Sequence, residues 1–364
     1  MASNSALAST GFIVTLSTTT GSGIKVHTFD PSTLASPRGG EALVKFHGSS
    51  INPLDLAVIS GTYAVKPKFA HNDEFIVGFD GLGQVLAVGP DVKSLKVDDF
   101  VIPAQYGIGT WRSHALLAET LLDKIPRPAH WGPASALRLG VAPAYLLVEN
   151  FRKLTPGDWI IQNAGTSFIA QMVEEFARLK GAKVISVVRD RQEPPEEPVV
   201  DLASSLPKKQ HALKVNKDAL AEAKDGKRIV MAIDSVGGYA GQQLLDSLTP
   251  GGTFVQHGFL AGTDQILPLT IANSWARNLS IQASRSSAHI NSLTVQERRD
   301  LMTWFAELLS WDHHQLPKVQ QLEVGAVDQE SVQALVEAAV SRARKSKYRQ
   351  RKQVLVWDPA GWEA

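Results

Sequence analysis

Apolar residues fall along this chain in two rhythms. Within residues 155–191, Pro156-Gly157-Asp158 turns into the apolar run Trp159-Ile160-Ile161, which breaks at Asn163-Ala164-Gly165-Thr166-Ser167. Apolar positions resume at Phe168, Met172, Phe176 and Leu179, three and four apart, until Gly181. The pattern predicts a strand, a small-residue turn, a helix with one buried face, and a second strand over 184–188. Such a unit closes right-handed and points the free N–H groups of its helix N-terminus beyond the strand ends, where a phosphate fits.

Ahead of it the rhythm is shorter. Runs at 12–16, 24–29, 41–49, 81–88 and 99–103, separated by Gly, Pro and Asp, predict a compact barrel-like β domain. Residues 138–154 carry Leu139, Val141, Ala144, Leu147, Val148 and Phe151 and predict a helix leading to the central unit. Alternation continues with a strand at 229–234, a helix at 242–248 and a strand at 253–258, the signature of a parallel sheet. An amphipathic helix over 329–340, a basic stretch and a strand over 353–357 return to the first domain. The acidic, proline-bearing segment 192–198 reads as an exposed connector.

Length adds a domain count. At 364 residues the chain exceeds one core. The expected division is 1–145 with 300–364, and 146–299. A net charge of +1 removes any global argument for nucleic acid or an anionic membrane. No apolar run approaches the ~20 residues of a membrane span. The absence of cysteine excludes disulfides, a four-thiolate zinc lobe and a thiolate nucleophile. Residues 1–22 are rich in Ser, Thr and Ala, with no Lys or Arg before Lys25 and no secretory apolar core. That is poor for a mitochondrial presequence, and the cytoplasm is the expected compartment.

The end of the second strand of the central unit carries the first chemistry. An acidic residue there would take a ribose hydroxyl, but the chain has Arg189-Asp190-Arg191. Two guanidinium groups suit a 2′-phosphate and predict NADPH rather than NADH; solvated charges capping a strand are the alternative. Against the G-x-G-x-x-G pattern the turn places Gly165, Ser167 and Ala170, so only the first glycine stands. Phe168 follows at the helix start, where its ring can crowd a pyrophosphate that needs close backbone approach.

Several blocks together resemble a family. They are Asn52-Pro53-Leu54-Asp55, Gly61-Thr62-Tyr63, Val101 to Ala104, Gly107-Ile108-Gly109-Thr110-Trp111-Arg112, Pro156-Gly157-Asp158, Gln162-Asn163-Ala164 and Val187 to Arg191. The chain resembles the medium-chain dehydrogenase/reductase superfamily and, within it, the zinc-free 2-enoyl thioester reductases of mitochondrial fatty acid synthesis, from about residue 40 to 260. The resemblance implies an α/β chain: a GroES-like β-barrel catalytic domain plus a Rossmann-type doubly wound parallel-sheet domain. It implies hydride transfer from NADPH to the β carbon of a 2-enoyl thioester, on coenzyme A or a carrier protein, without metal. Tyr63 then supplies the α proton or steers the enolate, Asn52 lies near it, and Thr110 and Trp111 line the acyl loop. Asn163, Gly165, Thr166, Ser167, Phe168, Ile169, Arg189, Arg191, Gly258 and Phe259 would hold the cofactor. A mitochondrial location and a homodimer formed through Rossmann sheet edges also follow from the resemblance. The chemistry is coherent, because hydride addition loads negative charge on the thioester oxygen, and a phenol with a pKa of ~10 can donate to it at neutral pH.

Other readings of the same residues stand beside these. Tyr63 and Trp111 can be packed aromatics, and Asn52-Pro53 a turn. The chain departs from the family at Phe168, at His257-Gly258-Phe259 where the family has Tyr-Gly-Gly, and at Ser284 and Arg285 where it has an aromatic pair. A second reading follows, in which Phe168 and Phe259 fill the cofactor cleft of a ligand-binding scaffold or cofactor-free isomerase or cyclase; a third is a quinone or enone reductase. His313-His314 reads as a solvated pair. Residues 342–352, with seven basic residues in eleven, read as a solvated face able to dock an acidic carrier or coenzyme A phosphates.

Overall fold

The computed structural model describes residues 13–19, 23–62, 66–190, 200–203, 214–215, 217–311, 315–324, 328–345 and 351–362. The chain divides into two compact units, one built from the chain up to Ala142 and from Asn291 onward, the other from Pro143 to Ile290.

In the first unit the strand Glu41–Ser50 is central. Nine of its ten residues are buried, Lys45 and His47 among them, so the strand shows no alternation of buried and exposed positions. One edge pairs antiparallel with Gly81–Val88; the other is shared between His114–Ala118 and the C-terminal strand Lys352–Val356. Register shifts at Leu43/Val44 and Phe46/Gly48 bend this strand, as bulges do, and let it serve three partners. Phe100–Pro103 and Leu122–Ile125 extend the sheet on one side and Val319–Glu323 on the other. A smaller sheet joins Ile24–Phe29, Ile13–Thr18, Glu74–Ile76 and Ala70–His71. The core gathers Leu16, Val44, Phe46, Ile108, Trp111 and Leu117, and the helix Gln329–Lys345 closes it with Val332, Val336, Ala339 and Val340. That i, i+4, i+7, i+8 stripe is the apolar face read from the sequence.

In the second unit six strands run parallel in the order Val200–Ala203, Lys183–Asp190, Trp159–Gln162, Ile229–Asp234, Thr253–Gln256, Ser280–Ala283, with Lys214–Val215 antiparallel at one edge. In chain order this is 3-2-1-4-5-6, the doubly wound arrangement, whose switch point lies between Trp159–Gln162 and Ile229–Asp234. Ile229–Asp234 is buried at every position, as a strand covered on both faces must be.

Several elements differ from the pattern-based expectation. Over 138–154 the backbone forms a wide π turn, Leu137–Val141, then the helix Ala142–Glu149, which ends before Phe151. Here Arg138 is drawn inside, and Leu137, Gly140 and Val141 of the π turn are buried with it. The short strands at 70–71, 74–76, 114–118, 122–125, 280–283 and 319–323 carry no clear alternation, and only their pairing partners define them. Segment 192–198 and the pair His313-His314 lie outside the described residues.

Candidate functional site

The helix Phe168–Leu179 starts at an ordered cap. Ser167 is its N-cap and accepts from Ala170 N at 3.2 Å, while Gln171 N reaches Ser167 O at 3.0 Å. Ser167 N returns to Ala164 O at 2.8 Å, and Gly165 N is bonded to Val187 O of the next strand at 3.1 Å. Among the described residues, the N–H groups of Thr166, Phe168 and Ile169 have no protein acceptor. These free donors and the helix dipole form an anion cradle. Glycine is required at 165 because a Cβ there would stand 2.8 Å from Ser186 Cβ and 3.1 Å from its carbonyl carbon. The Phe168 ring is 6% exposed, packed inside the protein rather than standing in solvent over the cradle. Arg189 lies on the strand Lys183–Asp190, next to Leu202 of the neighbouring strand. Its side chain and the whole of Arg191 lie outside the described residues.

At the switch point the two strand ends are tied together. Asn163 Nδ2 donates to Asp234 Oδ1 at 2.6 Å, and Asn163 Oδ1 accepts from Ser235 N at 2.7 Å. Asp234 Oδ1 also accepts from Val236 N and Gly237 N, both at 2.9 Å, and so shapes the loop entering the helix Gly238–Ser247. Asn163, predicted to touch cofactor, thus spends its amide on holding two strands in register. At the end of the next strand, Gly258 approaches Ser235 so closely that a Cβ would sit 2.9 Å from its carbonyl oxygen. Burial pushes His257 down to about 4, so its imidazole is neutral at physiological pH, and its Nδ1 is buried with no hydrogen-bond partner. Phe259 is 57% exposed.

The first unit holds a polar cluster of its own. Asn52 caps the helix Pro53–Ile59, and Asp55 Oδ2 accepts from both Asn52 N (2.7 Å) and Asn52 Nδ2 (2.9 Å). The same Nδ2 donates to Ser50 O (3.2 Å) and Ser50 Oγ (3.1 Å), while Lys352 Nζ donates to Asn52 Oδ1. The Asn52 amide is therefore committed within the protein. Asp80 Oδ1 accepts from Gly81 N (3.0 Å) and its Oδ2 from Leu139 N (2.7 Å). Burial pushes Asp55 up to about 6 and Asp80 up to about 7, and it brings Lys352 down to about 8, against the pull of both carboxylates. Arg138, also buried, donates Nη2 to Asn291 Oδ1 at 3.0 Å and lies 5.2 Å from the Tyr106 ring centroid.

Thr110 and Trp111 sit in the wall of that cluster. Both are 0% exposed. Thr110 Oγ1 donates to Asp80 O at 2.9 Å, and Trp111 Nε1 to Ser50 O at 3.3 Å. Trp111 is the largest fully buried side chain described, so the packed-anchor reading is the one its geometry supports. Tyr63 lies outside the described residues. Among the described residues no group of three His, Asp or Glu is arranged to hold a metal, and no helix is long and apolar enough to cross a membrane.

Known proteins resemble the chain in sequence and in fold. A model of the alcohol dehydrogenase GroES-like domain matches residues 38–133, within the first unit. The ETR1P complex with NADP and crotonyl-CoA superposes with a TM-score of 0.77 at 22% identity, over 95% of this chain and 100% of that one, a likeness of fold. The mitochondrial enoyl-[acyl-carrier-protein] reductase of Rattus norvegicus is 35% identical over 230 residues, 63% of this chain and 60% of that protein. An NADPH quinone oxidoreductase of Kluyveromyces marxianus is 31% identical over 277 residues, 69% and 70% of the two chains. The mitochondrial enoyl-[acyl-carrier-protein] reductase of Xenopus tropicalis is 31% identical over 246 residues, 65% of this chain and 67% of that protein. The chain belongs to the enoyl thioester reductase family of medium-chain dehydrogenases/reductases. It spans about 60% of the length of the rat relative. No motif in the sequence singles out Asp55, Asp80, Asp234 or Lys352. Asp55 falls within the block Asn52 to Asp55 and Lys352 ends the basic stretch, but the contact of Lys352 with Asn52 joins positions 300 residues apart.

Proposed function

We propose that this chain is an NADPH-dependent reductase of the conjugated C=C bond of a 2-enoyl thioester. The observation that carries the reading is the uncommitted N–H cradle at Thr166, Phe168 and Ile169 beside the switch point of a doubly wound sheet, in a chain of this family. Thr166, Ser167, Phe168 and Ile169 would hold the pyrophosphate, Gly165 lets the backbone approach, and Arg189 and Arg191 are assigned to the 2′-phosphate. Bound NADPH supplies the hydride. The chain's own part is to hold the thioester oxygen while charge builds on it and to deliver a proton to the α carbon, the role assigned to Tyr63.

Titration of the protein with NADPH, followed by cofactor fluorescence, tests this. Saturable binding together with turnover of 2-butenoyl coenzyme A is expected, and no binding at millimolar cofactor ends the reading. A quinone reductase is the second reading, favoured by the similarity to the Kluyveromyces marxianus quinone oxidoreductase. Turnover of a para-quinone with indifference to thioesters would establish it instead. A homodimer belongs to the same proposal. The edge strand Ser280–Ala283 is exposed at all four residues and lies near exposed Ile266, Leu269, Ile271 and Trp275 in sequence, an apolar edge that a second copy would cover.

A further inference from the structure

Lys352 closes the basic stretch and opens the last strand, and its ammonium ends at Asn52 Oδ1. Asp55 and Asp80 are both 0% exposed; Asp55 Oδ2 accepts from the Asn52 main-chain and side-chain nitrogens and Asp80 from Gly81 N and Leu139 N, while Asp55 Oδ1 is buried with no hydrogen-bond partner among the described residues. Among the described residues, Asn52 Oδ1 is the one acceptor of Lys352 Nζ. An ammonium carries three N–H donors, so two stay uncommitted.

The electrostatics say why this matters. Two buried carboxylates act on Lys352 through their field without consuming its hydrogens, and the Arg138 charge favours the ionised form of Asp80. Burial works the other way and lowers the lysine to about 8, so it is cationic at neutral pH but poorly solvated. A desolvated ammonium with free donors is worth far more to an anion than a solvated one. Asn52, by contrast, has no hydrogen left to offer a ligand.

We propose that the Lys352 ammonium is an oxyanion-binding group, held by Asn52 Oδ1 over Asp55 and Asp80 so that its two remaining hydrogens meet a negatively charged oxygen of the ligand. The proposal rests on the reductase reading. Two ligand oxygens share this chemistry: the thioester oxygen that gains charge on hydride addition, and a phosphate oxygen of the dinucleotide. In either case the lysine keeps its proton, and no bond to it forms or breaks.

Lys352→Gln and Lys352→Arg in the full chain separate the two sources. We would measure NADPH affinity by fluorescence, kcat and KM for 2-butenoyl coenzyme A from pH 6 to 10, and thermal unfolding. If the thioester oxygen is the ligand, Lys352→Gln lowers kcat by about 100-fold with NADPH affinity within twofold of the parent. If a phosphate is the ligand, affinity falls about tenfold and kcat at saturating NADPH holds. In both cases Lys352→Arg, which keeps the charge and cannot titrate, recovers most of the loss and removes an alkaline limb near pH 8. The proposal is overturned if Lys352→Gln changes neither quantity by more than twofold. It is equally overturned if Gln and Arg variants lose stability and activity alike, which marks a packing role. A parent protein that binds no NADPH defeats the reductase reading itself, whereas a parent that binds and turns over beside an unaffected Gln variant defeats this inference alone.

Discussion

Gly165→Ala probes the cradle with a single methyl group. The new Cβ would lie 2.8 Å from Ser186 Cβ, 0.6 Å inside the 3.4 Å at which ordinary contact begins, and 3.2 Å from Val188 Cγ1. Ser186 cannot retreat freely, because its hydroxyl accepts from Gln162 Nε2 at 2.9 Å and donates to Glu174 Oε1. The turn must shift instead, and its tether, the Gly165 N to Val187 O bond, shifts with it. Overpacking of this kind costs about 1–3 kcal/mol. In a unit of this size that lowers the unfolding midpoint by roughly 2–10 °C. Moving the free N–H groups off their common focus costs binding on the same scale, so NADPH affinity should fall by about 5- to 100-fold. Differential scanning calorimetry and a fluorescence titration read the two effects separately. A variant with unchanged melting temperature and affinity within twofold of the parent would refute the claim that the turn is packed to its limit beneath a phosphate cradle.

Three further outcomes follow from the same geometry. Trp111→Ala should cost about 3–5 kcal/mol of stability by denaturant unfolding, whereas Trp111→Phe should fold with kcat for thioester near the parent value if the buried indole serves as a packing anchor. The pH dependence of stability has two opposing parts. His47, His114 and His257, lowered to about 4, contribute stability above pH 6.5 that is lost as pH falls toward 4. Asp80, raised to about 7, contributes stability below the ordinary carboxylate range that is lost as pH rises through 7, so Asp80→Asn should make the melting temperature climb more steeply between pH 4.5 and 7. Equal slopes for variant and parent would contradict that sign. Finally, Ile271→Asp combined with Trp275→Asp should convert a dimer to a monomer in sedimentation equilibrium at micromolar concentration, with NADPH binding retained.

The central strand-turn-helix-strand was legible because every signal in it is local. Turn residues at 156–158, apolar spacing from Phe168 and the left-handed Gly181 each act over a few positions, and the observed Trp159–Gln162, Phe168–Leu179 and Lys183–Asp190 fall where they point. Family membership was legible from short blocks for the same reason. The tertiary structure alone decided which polar residues work on one another. Asn52 reads as a helix cap or a catalytic amide until Lys352, far along the chain, arrives to take its carbonyl oxygen. Thr110 and Trp111 read as a loop until burial turns them into wall and anchor. Side-chain type fixes what a group can donate or accept. Whether it still has that capacity to offer a ligand depends on the neighbours that packing brings to it, and a linear pattern does not contain them.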